Sequence, residues 1–159
     1  EEECRILRAS SAIPMFSPIV EINGGRYLDG GTADPIPVRK AQADGCGKLI
    51  VVLTRDRSYV KGPERHHRLY SRKFRDDPAM IRLLDTRHEL YNETRRYLFD
   101  LEKSGQAVVI APSEPLTISR FEKKREALDQ VFQLGRRDAQ EKWEALQAYL
   151  AAPKKGETD

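Results

Sequence analysis

Lys48-Leu49-Ile50-Val51-Val52-Leu53-Thr54 is an unbroken apolar run, rich in β-branched residues, near the middle of the chain. A run this short, with no polar residue to mark an outward face, predicts a strand buried on both faces. Val38 to Asp44, just before it, reads as a short helix. Asp34-Pro35 opens that helix, because a carboxylate can cap free N–H groups and proline's missing donor costs nothing there. Gly45-Cys46-Gly47 closes it. A short helix leading into a buried strand predicts α/β architecture. Further along, Ala107-Val108-Val109-Ile110-Ala111 repeats the pattern of a buried strand.

Between the two strands lies a basic stretch containing Arg55, Arg57, Lys61, Arg65, Arg68, Arg72, Lys73 and Arg75. It lacks periodicity until about His66, which predicts a loop entering a helix. From Asp77 the pattern is helical: Ile81, Leu84, Tyr91, Leu98 and Leu101 share one face. Asp77-Pro78 marks the start of this long helix and Gly105 its stop. After Pro112-Ser113-Glu114-Pro115, the chain from Ser119 to Leu150 reads as two helices. Leu128, Val131 and Phe132 form the stripe of one, and Trp143, Leu146 and Leu150 that of the other. Gly135 lies between them, as a C-cap or a hinge. The resulting division is residues 1–112, a helical segment 113–152 and a disordered tail 153–159.

Upstream, Ala9-Ser10-Ser11-Ala12-Ile13-Pro14 reads as a short helix or a tight loop. Ile19-Val20-Glu21-Ile22 and Arg26-Tyr27-Leu28 then flank Asn23-Gly24-Gly25. Asn-Gly between apolar runs predicts a hairpin, since both residues tolerate positive φ. Asp29 stands at the exit of the second hairpin strand, immediately before Gly30-Gly31. A strand end fixes a carboxylate, and glycines let other backbone come close, which suits a catalytic base. Taken without its surroundings, Asp29 reads as a turn aspartate. No Gly-x-Ser-x-Gly elbow occurs in the 159 residues to supply a nucleophile. The chain opens on Glu1-Glu2-Glu3 and not on methionine, which predicts that a natural N-terminal segment precedes it.

With 28 basic and 25 acidic side chains, the net charge of +3 is small and does not by itself imply nucleic acid. Hydrophobic residues make up 39% of the chain, enough for a globular core. Cys4 and Cys46 have no metal-type spacing, and with so few cysteines a reducing compartment is expected. His66 and His67 are adjacent and diverge by about 100° on a helix, while His88 is distant; surface histidines are the simpler reading and no metal site is expected. No apolar run approaches the ~18 residues of a spanning helix.

Arg8-Ala9-Ser10-Ser11-Ala12-Ile13-Pro14, followed by the hairpin and Asp29-Gly30-Gly31, resembles the C-terminal half of a patatin-like phospholipase. The spacing to the run at 48–54 is also similar, and the bacterial branch with an extra C-terminal helical segment is the nearest likeness. Plant relatives often place asparagine before the proline after Asp-Gly-Gly, where this chain has Asp34-Pro35.

The resemblance implies a partial patatin-like α/β/α sheet followed by helices. It implies a serine lipid acyl hydrolase with a Ser–Asp dyad, no histidine and no cofactor. Of that machinery only the aspartate matches, at Asp29, with Gly30 and Gly31 supporting it. The nucleophile elbow and the glycine-rich oxyanion loop belong to the family's N-terminal half, so this chain alone is expected to be inactive. Ser10, Ser11 and Pro14 are candidate cleft-lining residues, although either hydroxyl suits helix capping better, and neither has the elbow of a nucleophile. The expected partners are a lipid or ester substrate and, through the basic stretch, an anionic membrane surface. Self-association through an unpaired sheet edge is also expected. Location would be cytoplasmic or at a membrane periphery. The competing reading is a non-catalytic interaction or scaffold module that uses its charged helices.

Overall fold

The computed structural model describes residues 2–119 and 122–153. In chain order the elements are α1 (Glu2–Ser10), β1 (Val20–Ile22), β2 (Gly25–Tyr27), α2 (Val38–Ala43) and β3 (Leu49–Val52). Then follow α3 (His67–Lys73), α4 (Pro78–Lys103), β4 (Ala107–Ile110), α5 (Arg125–Glu141) and α6 (Trp143–Ala151). The fold is mixed α/β, as the sequence predicts. The chain separates into two compact units, and α4 contributes residues to each. One takes the chain up to Pro37 with Lys61–Arg95; the other takes Val38–Val60 and the chain from Arg96 on.

In the first unit, β1 and β2 pair antiparallel with Ile22 opposite Gly25, leaving Asn23-Gly24 as a two-residue turn. Both turn residues have positive φ, +49° and +78°, the geometry that matches the strands' right-handed twist. Val20 packs with Ala9 and Ala12, and Leu28 and Ile22 close on that cluster. Leu28 also packs against a second cluster of Tyr70, Phe74 and Leu84, so apolar contacts on two sides anchor the residue just before Asp29.

In the second unit, β3 and β4 run parallel, Leu49 opposite Ala107 and Val52 opposite Ile110. Gly45 and Gly105 end α2 and α4 in the same way. Each adopts positive φ, +83° and +70°. The amide of the following residue reaches back to a carbonyl five positions earlier, Cys46 to Ala41 at 3.0 Å and Gln106 to Leu101 at 2.8 Å. This satisfies carbonyls that a helix end leaves without partners. The Tyr149 hydroxyl accepts from the Leu49 amide at 2.9 Å and donates to the Gln106 carbonyl at 2.7 Å, tying α6 to the strand starts. Lys48 donates to the Ala152 carbonyl at 2.6 Å and to that of Leu150, placing a cation where the helix dipole favours one.

Four expectations are corrected. The run at 48–54 is buried on one face only: Leu49 and Leu53 are inside, while Val52 is 68% exposed and Ile50 is exposed beside it. Among the described residues β3 pairs only with β4. Helix α5 starts at Arg125, and Ser119 is not helical; Arg120 and Phe121 lie outside the described residues. Its buried positions are Leu134 and Asp138, with Val131 half-buried, whereas Leu128 and Phe132 face solvent, as do Trp143 and Leu150 of α6. Gly135 is an interior residue of α5, because the break between α5 and α6 falls at Lys142. Of the expected disordered tail, residues 154–159 lie outside the described residues.

Candidate active site

Asp29 follows directly on the hairpin and is half-buried. Its backbone amide donates to the Ala12 carbonyl at 2.9 Å, which brings the Ser10-to-Pro14 loop beside it. Its carboxylate Oδ1 accepts from the Gly31 amide at 2.8 Å and caps a single 3-10 turn, Gly30–Thr32. Asp29 is a turn aspartate by hydrogen bonding, and that bond fixes the carboxylate in one orientation. A Cβ on Gly31 would stand 3.1 Å from Oδ1, so a side chain there would crowd the carboxylate. Gly30 meets nothing within 4 Å and adopts no left-handed φ.

Asp29 and Gly30 line an open depression of about 770 Å³. Its walls combine apolar side chains, among them Leu28, Phe74 and Met80, with charged groups of both signs, Arg26 and Arg82 beside Asp76 and Asp77. An apolar wall carrying polar groups is the usual makeup of small-molecule pockets. Ser10, Ser11 and Pro14 do not line it. Ser11 is exposed and its hydroxyl donates to the carbonyls of Leu7 and Arg8, at 3.0 and 3.3 Å, at the end of α1. Pro14 is buried and Ser10 exposed.

Arg87 was not visible as a site residue in the sequence. Its Nε and Nη2 donate to the Gly31 carbonyl at 3.1 and 2.9 Å, and its Nη1 to Glu64 at 2.9 Å. Lys61 also reaches Glu64, at 2.9 Å. Burial alone would raise the Glu64 carboxyl, but the hydrogen bonds and charges of Lys61 and Arg87 outweigh it and hold it below the usual range. A signal was present. Arg87 falls three residues after Leu84 and four before Tyr91, on the stripe otherwise read as apolar.

The basic stretch is partly committed to internal pairs: Arg57 grips Glu102 with two bonds of 2.7 Å, and Lys61 holds Glu64. Arg65, Arg68 and Arg72 are exposed. Among the described residues, no group of three or more His, Cys, Asp or Glu is placed to hold a metal ion, and no helix is long and apolar enough to cross a membrane.

Residues 4–41, which contain this loop, match the patatin-like phospholipase family. Residues 77–151 match a domain of unknown function, DUF6363. The chain is also 28% identical over 135 residues to an uncharacterised protein of Escherichia coli, YjjU. That likeness covers 82% of this chain but only 37% of the relative, so the chain spans little more than a third of the relative's length. No solved structure matches the chain.

Proposed function

We propose that this chain is the C-terminal part of a patatin-like lipid acyl hydrolase and that Asp29 is the general base of its Ser–Asp dyad. The observation that carries the reading is the Asp29 carboxylate. It lies within the segment matched to the patatin-like family, is oriented by the Gly31 amide and borders an open, largely apolar depression. An ionised carboxylate in water is a weak base towards a serine hydroxyl. Partial burial and a fixed orientation make proton transfer effective once the hydroxyl is within hydrogen-bond reach. The dyad serine and the oxyanion donors would come from residues outside this sequence. In the reaction, the serine oxygen attacks the acyl carbon while its proton passes to Asp29. The acyl-enzyme forms as the alcohol leaves with that proton, and water then releases the acid.

The exposed edge and face of β3 suit the same reading, because further strands would pair the edge and helices packed on a larger sheet would cover Ile50 and Val52. In this chain alone they favour self-association. Exposed Arg65, Arg68 and Arg72 fit a peripheral contact with anionic lipid. The alternative of an interaction module draws on the exposed apolar side chains Phe132, Trp143 and Leu150 of the C-terminal helices.

A fluorophosphonate probe separates the two readings. Applied to a longer form that includes the residues preceding this segment, it is expected to label one serine, and applied to this chain it is expected to label none. Specific labelling of Ser10 or Ser11 here, or no labelling of the longer form, would overturn the proposal.

A further inference from the structure

We infer that Arg87 is a positioning residue for Asp29, and that holding this loop is a task of the segment matched to the domain of unknown function. The inference rests on the proposed role of Asp29.

The argument starts from Gly31, which is bonded on both sides. Its amide donates to Asp29 Oδ1 at 2.8 Å, and its carbonyl accepts two bonds from one guanidinium. Glycine is the residue least able to hold its own backbone in place. Left to itself, the Gly30-Gly31 pair would let the carboxylate wander with the turn it caps. A planar guanidinium fork removes that freedom, because two N–H groups on one carbonyl fix direction as well as distance.

The guanidinium is itself held. Glu64 Oε1 takes its third nitrogen at 2.9 Å, and Lys61 Nζ bonds the same oxygen at 2.9 Å. The Asn92 side chain brackets the Lys61 backbone, accepting from its amide at 2.8 Å and donating to its carbonyl at 2.9 Å. Arg87 and Asn92 both stand on α4, within residues 77–151. The loop they hold lies within residues 4–41. One matched segment thus supplies the clamp and the other the clamped carboxylate. Arg87 touches no reacting atom in this scheme; its effect passes through Gly31.

Two measurements test this. The first needs no activity: amide hydrogen exchange on this chain as wild type and as Arg87→Ala. Exchange at Gly31 and Thr32 is expected to quicken by about tenfold or more, the size of losing one or two charged hydrogen bonds, while the β3 and β4 amides keep their protection. Unchanged exchange at Gly31 would overturn the inference whatever the chemistry. Loss of protection throughout would reduce Arg87 to general stability and overturn it equally.

The second uses a longer, active form and a short-chain nitrophenyl ester. Arg87→Ala is expected to lower kcat between about tenfold and a hundredfold with little change in KM, since orientation and not substrate contact is lost. Added guanidinium at low concentration is expected to restore part of that loss, and Arg87→Lys to sit between the two. If Asp29→Asn abolishes turnover while Arg87→Ala leaves kcat intact, the inference fails and the dyad reading stands. If Asp29→Asn leaves turnover intact, the dyad reading fails first.

Discussion

The loop carrying Asp29 and the β3–β4 pair keep their shapes by different means. Leu28 anchors the loop by apolar packing, but beyond it the contacts that orient Asp29 are polar and few: the Ala12 carbonyl, the Gly31 amide and the Arg87 fork. Around β3 and β4 the contacts are chiefly apolar, with Tyr149 and Lys48 adding polar ties at the strand starts. Leu98 is 0% exposed, and Val109, Leu101 and Ala107 are buried in the same unit. Burial is roughly additive in area and indifferent to direction, so it gives stability without aiming anything. A hydrogen bond contributes less net free energy but sets an angle. The contrast suits a molecule in which one region must aim a carboxylate and the other must hold a sheet together.

The largest effect that can break this contrast is expected from Leu98→Ala. Truncating a fully buried leucine costs about 2–5 kcal/mol, through lost transfer energy and the cavity left behind. Hydrogen exchange is expected to show the loss at β4. A cost below about 1 kcal/mol would mean that the apolar account of this unit is wrong.

A smaller, pH-dependent effect comes from Glu102. The hydrogen bond from Arg57 holds its carboxyl below the usual range, more than offsetting burial, with the charges of Arg57 and Lys142 adding to it. A carboxyl depressed in the folded state contributes stability that is fully present above its unfolded value of 4.5 and is lost as the pH falls through the lower folded value. Urea midpoints for the wild type are therefore expected to drop more steeply below that pH than those of Arg57→Gln. Parallel slopes would show that the pair contributes nothing.

What could be read from the sequence was local. Asn23-Gly24, Gly45, Gly105 and Asp77-Pro78 each punctuate the chain by their own backbone preferences, and each does so where expected. What could not be read depends on partners far along the chain. Nothing near Ile50 and Val52 says whether a layer will cover them. Apolarity puts the α5 stripe on Leu128, Val131 and Phe132, yet of these only Val131 lies on the inward face, which continues through Leu134 and Asp138. Asp138 is buried, and its Oδ2 accepts from the Ser113 amide at 2.9 Å, 25 residues away. Arg87 hid for the same reason, its carbonyl partner lying 56 residues upstream. Both are charges at apolar-stripe positions of a helix. In this molecule such misplaced charges mark where a helix holds a loop.

The candidate site was legible to a similar degree. The local pattern at Asp29, a hairpin exit before two glycines, gives a turn aspartate, which its bond from the Gly31 amide matches; its proposed role as a base comes from the resemblance of the whole stretch around it. The depression beside it could not be read, since Phe74, Met80 and Arg82 reach it from a distant part of the chain.

The most direct measurement is the ester-hydrolysis rate of a longer form bearing the preceding residues, as wild type and as Asp29→Asn. Asparagine keeps the oxygen that accepts from Gly31, so the loop is expected to stay folded while the base is removed. A general base typically contributes about 10²–10⁴-fold, and kcat is expected to fall by that order at neutral pH. A folded Asp29→Asn protein that hydrolyses at the wild-type rate would contradict the assignment.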